Sequence, residues 1–134
     1  MRSLDQRKAE ALELRRRGFN CTQSVLMVFD DVLGLDKATL CRLSSGLGSG
    51  VGGSGELCGV PNALAIAQGF QFPAEASAKA ASMRNARALM EEFKEFSGER
   101  LRCADIKGSE NPVPCNDLIL RGIEIFHNHC SDKE

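Results

Sequence analysis

Apolar residues recur along most of this chain at the three- and four-residue spacing of a helix face, and no stretch alternates as a half-buried strand would. The pattern predicts a first amphipathic helix from about Leu4 to Arg17, with Leu4, Ala11, Leu12 and Leu14 as its apolar stripe and Gly18 as its stop. Asn20 is an N-cap candidate for a second helix to about Leu33, with Val25, Val28, Phe29, Val32 and Leu33 on one face and Cys21 in the first turn. Asp36 would cap a third, carrying Leu40, Leu43 and Leu47 and fading into Gly46 to Gly55. That stretch holds six glycines in ten residues and must be a loop or a broken helix end, since each glycine costs a helix interior roughly 1 kcal/mol relative to alanine.

Cys58 follows, and the apolar run Gly59 to Gly69 fits a buried helix with Pro61 in its first turn, where no hydrogen bond is lost. A long helix is predicted from about Ala74 or Ser77 to Phe96, facing inward with Met83, Ala86, Leu89, Met90, Phe93 and Phe96 and closed by Gly98. Glu99 to Pro114 lacks periodicity and reads as an irregular connection with Cys103 on a short turn. A last helix, about Cys115 to His129, places Leu118, Ile119, Gly122, Ile123 and Phe126 on one face, with Cys130 just past its tail. The expectation is an all-α fold, a single domain over residues 1–134, built as a bundle of five to six helices around a glycine-rich loop.

Composition narrows the function classes. A chain of 134 residues buries roughly two thirds of its unfolded surface and needs no disulfide framework to fold. Seventeen basic against eighteen acidic residues give no field of one sign, and with no Tyr or Trp there is no stacking platform, so no nucleic-acid partner is expected. No window approaches a membrane span, so no membrane partner is expected either. The charged N-terminus, with Arg2, Arg7, Lys8, Arg15, Arg16 and Arg17, has no apolar core of a secretory signal, which points to a cytoplasmic protein. In that compartment thiols stay reduced unless catalytic, sensing or metal-bound.

The chemistry then rests on six cysteines, at 21, 41, 58, 103, 115 and 130, with no C-x-x-C pair among them. Cys21, Cys58 and Cys115 fall at predicted helix N-termini, where free backbone N–H groups and the helix dipole favour a thiolate, the form that attacks disulfides and binds metals. The plain alternative is that each is a small buried hydrophobe. Cys41, beside Leu40 and Leu43, and Cys130, near the chain end, read as structural or incidental. His127 and His129 point to different helix faces and read as partners of the helix C-terminus rather than ligands. Glu91, Glu92 and Glu95 read as a solvated face, and Arg15 to Arg17 as the solvated end of the first helix or a docking surface for an acidic redox partner.

Together the run Gly18-Phe19-Asn20-Cys21-Thr22-Gln23-Ser24-Val25-Leu26, then Leu33-Gly34-Leu35-Asp36, then Gly46 through Gly55 leading into Cys58-Gly59, resembles the redox-active protein family named for its C, GCAxxG, C, C signature. The likeness covers about residues 10 to 130, with Cys103 and Cys115 as the two later cysteines. It departs from the family's C-G-A-x-x-G run at Val60 and Ala63. The resemblance implies a small helical redox protein, related to the cysteine-rich domain of split-Soret cytochromes, in which Cys21, Cys58, Cys103 and Cys115 hold an iron–sulfur cluster of the 2Fe-2S type.

With no C-x-x-C-H, no covalent haem is expected. Gly48, Gly50 and Gly53 formally satisfy G-x-G-x-x-G, but a helix rather than a strand precedes them and no Gly-Lys-Ser/Thr follows, so no nucleotide is expected. Helix N-termini and the glycine-rich backbone could instead donate N–H groups to the sulfurs of an anionic cluster. Two further chemistries use the same four residues. One is a metal-free thiol–disulfide couple with Cys21 or Cys58 attacking; the other is structural zinc, for which the spacing lacks the usual C-x2–4-C pairs. A helical binding or scaffold protein with inert cysteines is the competing class. The apolar face of the first helix packs internally or against a second copy, so a homodimer stays open.

Overall fold

A computed structural model describes residues 1–131, so the last three residues of the expected 1–134 domain lie outside the described residues. Its regular structure is helical throughout, apart from one antiparallel bridge between Leu57 and Arg102. Helix α1, Leu4–Arg16, starts with a capping box in which the Ser3 hydroxyl accepts from the Gln6 N–H and the Gln6 side chain accepts from the Ser3 N–H. Asn20 caps the next segment as expected, with a second capping box to Gln23. That segment is not one helix: α2, Cys21–Leu26, passes through a tight 3-10 turn, Met27–Phe29, into α3, Asp30–Leu33, which stops at left-handed Gly34.

Asp36 caps α4, Lys37–Leu43, by accepting from the Thr39 N–H at 2.7 Å. This helix is shorter than the sequence suggests, and of Leu40, Leu43 and Leu47 the core takes only Leu40; Leu43 is 48% exposed. Helix α5, Gly59–Gly69, is buried along most of its length, and α6, Lys79–Ser97, ends at left-handed Gly98 as predicted. The inward face of α6 differs from the expected one. Leu89, Phe93 and Ser97 are buried, whereas Met83 is 62% and Phe96 39% exposed. The first half of α6 meets the end of α5 through amides instead, Gln68 donating to Ser82 and accepting from Asn85, and this fixes a rotation that leaves Met83 outside.

The irregular connection contains one short helix, α7, Cys103–Lys107, and the chain closes with α8, Cys115–Ser131. Cys130 lies inside the last turn of α8 and is buried, not past its end. Ile119, Ile123 and Phe126 of α8 are fully buried, and the Phe126 ring meets Phe29 edge-on at 4.9 Å. A Cβ at Gly122 would sit 2.3 Å from a Val60 methyl, so the larger residue at position 60 is accommodated by a helix surface with no side chain. No helix is long and apolar enough to cross a membrane among the described residues.

Candidate functional site

Local chemistry starts four helices at one place. Cys21 is the first residue of α2, Cys58 is the N-cap residue of α5, Cys103 opens α7 and Cys115 opens α8. All four line a single cavity of about 80 Å³, together with Arg15, Asn20, Ser49, Gly59, Val60 and Lys107. The bridge at Leu57 and Arg102 is what brings in Cys103, the one cysteine that no periodic pattern placed: the Cys58 N–H donates to the Leu101 carbonyl at 2.8 Å and the Cys103 N–H to the Glu56 carbonyl at 2.7 Å.

Cys58 is buried and the other three are half-buried. Burial pushes the Cys58 thiol up to about 12, and the proximity of Cys21, Cys103 and Cys115 adds to this, against a hydrogen bond from the Val60 N–H that favours the thiolate. The start of a helix therefore does not make Cys58 the acidic thiol its position suggests, because desolvation outweighs the helix N–H groups. In the metal-free protein Cys58 is a neutral thiol at physiological pH. Its raised value also lets it stabilise the fold fully below the ordinary thiol range, a contribution lost as pH climbs from about 9 toward about 12. We expect iodoacetamide near neutral pH to modify Cys21, Cys103 and Cys115 before Cys58, read by peptide mass spectrometry; equal labelling of Cys58 would contradict this.

Two cations face the cavity. Arg15 lines it while donating to the Phe19 carbonyl at 3.2 Å and to Asn116 at 3.3 Å, and exposed Lys107 lines it too. Arg15 is thus part of the cavity wall and not simply the solvated end of α1. Arg16 pairs with Glu13, and Arg17 stacks over Phe19.

The glycine-rich loop takes a smaller part than its composition suggests. Ser49, Gly50, Val51, Gly52 and Gly53 all have left-handed φ, between +51° and +76°, and the N–H groups from Val51 to Glu56 close on carbonyls of the same loop. Those amides are engaged and not aimed at the sulfurs; Ser49 is the loop residue on the cavity wall. Gly50 has no room for a side chain, since a Cβ there would lie 2.5 Å from the Glu56 nitrogen.

Cys41 and Cys130 are outside the cavity lining; the Cys41 sulfur accepts from the Gln23 amide at 3.4 Å. His127 accepts from Arg7 Nε at 3.2 Å, and His129 shares a hydrogen bond with Gln71 at 2.9 Å, so both act away from the thiols. Thr22 is a residue that sequence reasoning passed over: it is fully buried and its hydroxyl has no hydrogen-bond partner. A Cβ on Gly59 would fall 2.4 Å from that hydroxyl and 2.3 Å from the Cys21 sulfur, so the glycine keeps open the space between the starts of α2 and α5.

The donor set, the flanking cations and the orphaned hydroxyl fit an anionic, sulfur-ligated group. Among the described residues no three Cys, His, Asp or Glu side chains are grouped to hold one metal ion. A single zinc with every sulfur at about 2.3 Å is poorly served by that spread. A cluster of two irons divides its four thiolates between two metals and asks for a wider arrangement.

A family model described as "Putative redox-active protein (C_GCAxxG_C_C)" matches residues 19–129, a span that contains all four cavity cysteines. Neither a curated protein nor a solved structure matches the chain.

Proposed function

The chain belongs to the C_GCAxxG_C_C redox-active protein family, and from that premise we propose that it transfers electrons through an iron–sulfur cluster held by Cys21, Cys58, Cys103 and Cys115. One observation carries the reading: four helix starts deliver four thiols, and little else that can bind a metal, to one cavity. A bound two-iron cluster supplies a one-electron couple. The protein's share is to fix the thiolates from four separate stretches of chain, to offset their charge with Arg15 and Lys107, and to limit water around buried Cys58. Arg16 and Arg17, exposed near this rim, suit an acidic redox partner. A reducing, cytoplasmic setting keeps the thiols available.

The test is anaerobic purification followed by iron and acid-labile sulfide analysis, with visible absorption before and after reductant. We expect about two irons and two sulfides per chain and a spectrum that bleaches on reduction. Cys58→Ser should abolish both, whereas Cys41→Ser should leave them intact. A colourless, iron-free protein overturns the cluster.

A second reading is favoured by the four free cysteines that line one cavity, three of them half-buried and within reach of solvent. Two cavity thiols would form a disulfide, giving two electrons and two protons to a partner's disulfide, which leaves as two thiols. In that case Cys58, neutral at physiological pH, is the resolving thiol and not the attacking one. Intact mass with and without reductant separates the two readings, since only the dithiol form loses two hydrogens on oxidation.

A further inference from the structure

We propose that the exposed face of α6 is where a second copy of this chain docks, the two α6 helices lying antiparallel about a twofold axis between Arg87 and Ala88. The proposal is independent of the redox reading.

Charge order sets α6 apart. Helix α1 begins with Asp5 and ends with Arg15 and Arg16, and α8 begins with Asp117 and ends with His129, the sense that complements the partial charges at helix termini. Helix α6 reverses it. Lys79, Arg84 and Arg87 stand in its first half and Glu91, Glu92 and Glu95 in its second, all exposed, and only Lys94 follows the usual sense. No side-chain cap relieves its N-terminus. Contacts within the chain do not offset this order either. Among the described residues Arg84, Arg87 and Glu95 have no ion pair or side-chain hydrogen bond, and Glu91 meets only Lys94, at 3.6 Å on an exposed surface.

Helical spacing gathers Ala80, Arg84, Arg87, Glu91 and Glu95 into one stripe, opposite the buried Leu89 and Phe93. Met83 flanks that stripe, and at 62% it is the most exposed large apolar side chain among the described residues. A stripe positive at one end and negative at the other is its own complement when reversed, and an antiparallel second copy supplies the reversal. In the register centred between Arg87 and Ala88, Arg84 faces Glu91 of the second copy and has Glu95 of the second copy one turn away. Arg87 faces Ala88 of the second copy, whose small side chain leaves the guanidinium room to reach the same Glu91. Met83 falls beside half-buried Met90 of the second copy, so each copy covers the other's exposed thioether.

Symmetry makes every one of these contacts twice, and the two helix dipoles oppose. Parallel packing would set like charge against like. An unrelated partner would need the matching order on its own surface, whereas a second copy already carries it. A helix of 19 residues is only about 28 Å long, so the interface is small and the dimer should be weak and sensitive to salt.

Sedimentation velocity of the full-length protein, kept reduced so that no disulfide links two chains, tests this over about a hundredfold range of concentration. Wild type should pass from monomer to dimer, and added salt should reverse the shift. Arg84→Glu combined with Arg87→Glu gives an acidic stripe, and Glu91→Arg combined with Glu95→Arg a basic one. Each double variant alone should dimerise at least about tenfold more weakly than wild type, while an equal mixture of the two should pair at least as tightly as wild type. Met83→Ala should weaken the dimer about tenfold, since two thioethers are lost from the interface.

A wild-type chain that stays monomeric throughout overturns the proposal, including the case in which this face serves an unrelated partner. So does a dimer that survives both charge reversals, which would lie on another face. Double variants that remain monomeric when mixed overturn it as well, because the loss then did not come from charge order. Far-ultraviolet circular dichroism checks that each variant folds; where a double variant does not, Met83→Ala decides, and an unchanged dimer in that variant overturns the proposal.

Discussion

Gly59→Ala should cut the uptake of iron and sulfide by roughly ten- to hundredfold, the scale of losing a supporting partner behind a ligand, while the protein still folds. The new methyl would sit 2.3 Å from the Cys21 sulfur, 2.4 Å from the Thr22 hydroxyl and 3.2 Å from the Thr22 backbone nitrogen. Rotating two short side chains relieves the first two contacts, but the third involves backbone, so the starts of α2 and α5 must separate. Overpacking of this kind costs about 1–3 kcal/mol. Alanine recovers at most about 1 kcal/mol of that through its helix propensity. A modest net destabilisation is thus expected beside a large loss at the site, because the atom displaced most is the Cys21 sulfur itself. The dithiol reading makes the same demand, with loss of the disulfide as its readout. Gly69→Ala, at the far end of α5 where a Cβ meets nothing within 4 Å, is the control and should leave loading unchanged. Wild-type loading in Gly59→Ala would show that Cys21 is not held against α5 in the working protein.

How far the site could be read from residues alone depended on whether each cysteine was placed by local or by distant chemistry. Cys21 and Cys115 open helices whose boundaries are written nearby, in the Asn20 capping box and in the periodic run from Leu118. Cys58 was similarly legible from Pro61 and the apolar run behind it. Cys103 was not, because its place is set by backbone hydrogen bonds from Cys103 to Glu56 and from Ala104 to Gly55, across nearly 50 residues, and a short pairing of that kind leaves no period. The glycine-rich segment read correctly as a loop. Its engaged amides did not, since Ser49 and Val51 adopt left-handed φ that residues with side chains rarely take. The same limit applies to Met83, whose exposure follows from a polar contact between α5 and α6 that the α6 pattern alone does not contain. Burial of charge is hidden for a related reason: the charged N-terminus shows only that no secretory core is present, and which of its arginines is buried depends on partners far along the chain.

Arg7 is that arginine, and Arg7→Ala should destabilise the metal-free protein by about 2–5 kcal/mol, the range for emptying a large buried side-chain site. Its side chain is 0% exposed and donates to both carboxylate oxygens of Asp31, at 2.8 and 2.9 Å. It also donates to the Val28 carbonyl and to His127, and its guanidinium lies 4.6 Å over the Phe29 ring. One residue of α1 thereby ties the end of α3 to the end of α8. Burial opposes ionisation of Asp31, but hydrogen bonds from Arg7 and Arg2 win and hold its carboxyl well below the usual carboxylate range. A depressed folded value stabilises the protein above the unfolded value near 4, so this contribution should fade as pH falls below about 4 and be smaller in Arg7→Ala, where Arg2 alone still pairs with Asp31. Lysine is a poor substitute, because it offers no planar fork to meet both oxygens. Arg7 grips α3 and the later part of α8, away from the starts of α2 and α8 at Cys21 and Cys115, so whatever variant protein remains folded should keep the wild-type midpoint potential. Urea titration from pH 3 to pH 8, with a redox titration of the folded fraction, measures both. A loss of under about 1 kcal/mol would mean that Arg7, though buried, contributes no more than an exposed ion pair, and a shifted potential would mean that the two ends of the bundle are coupled.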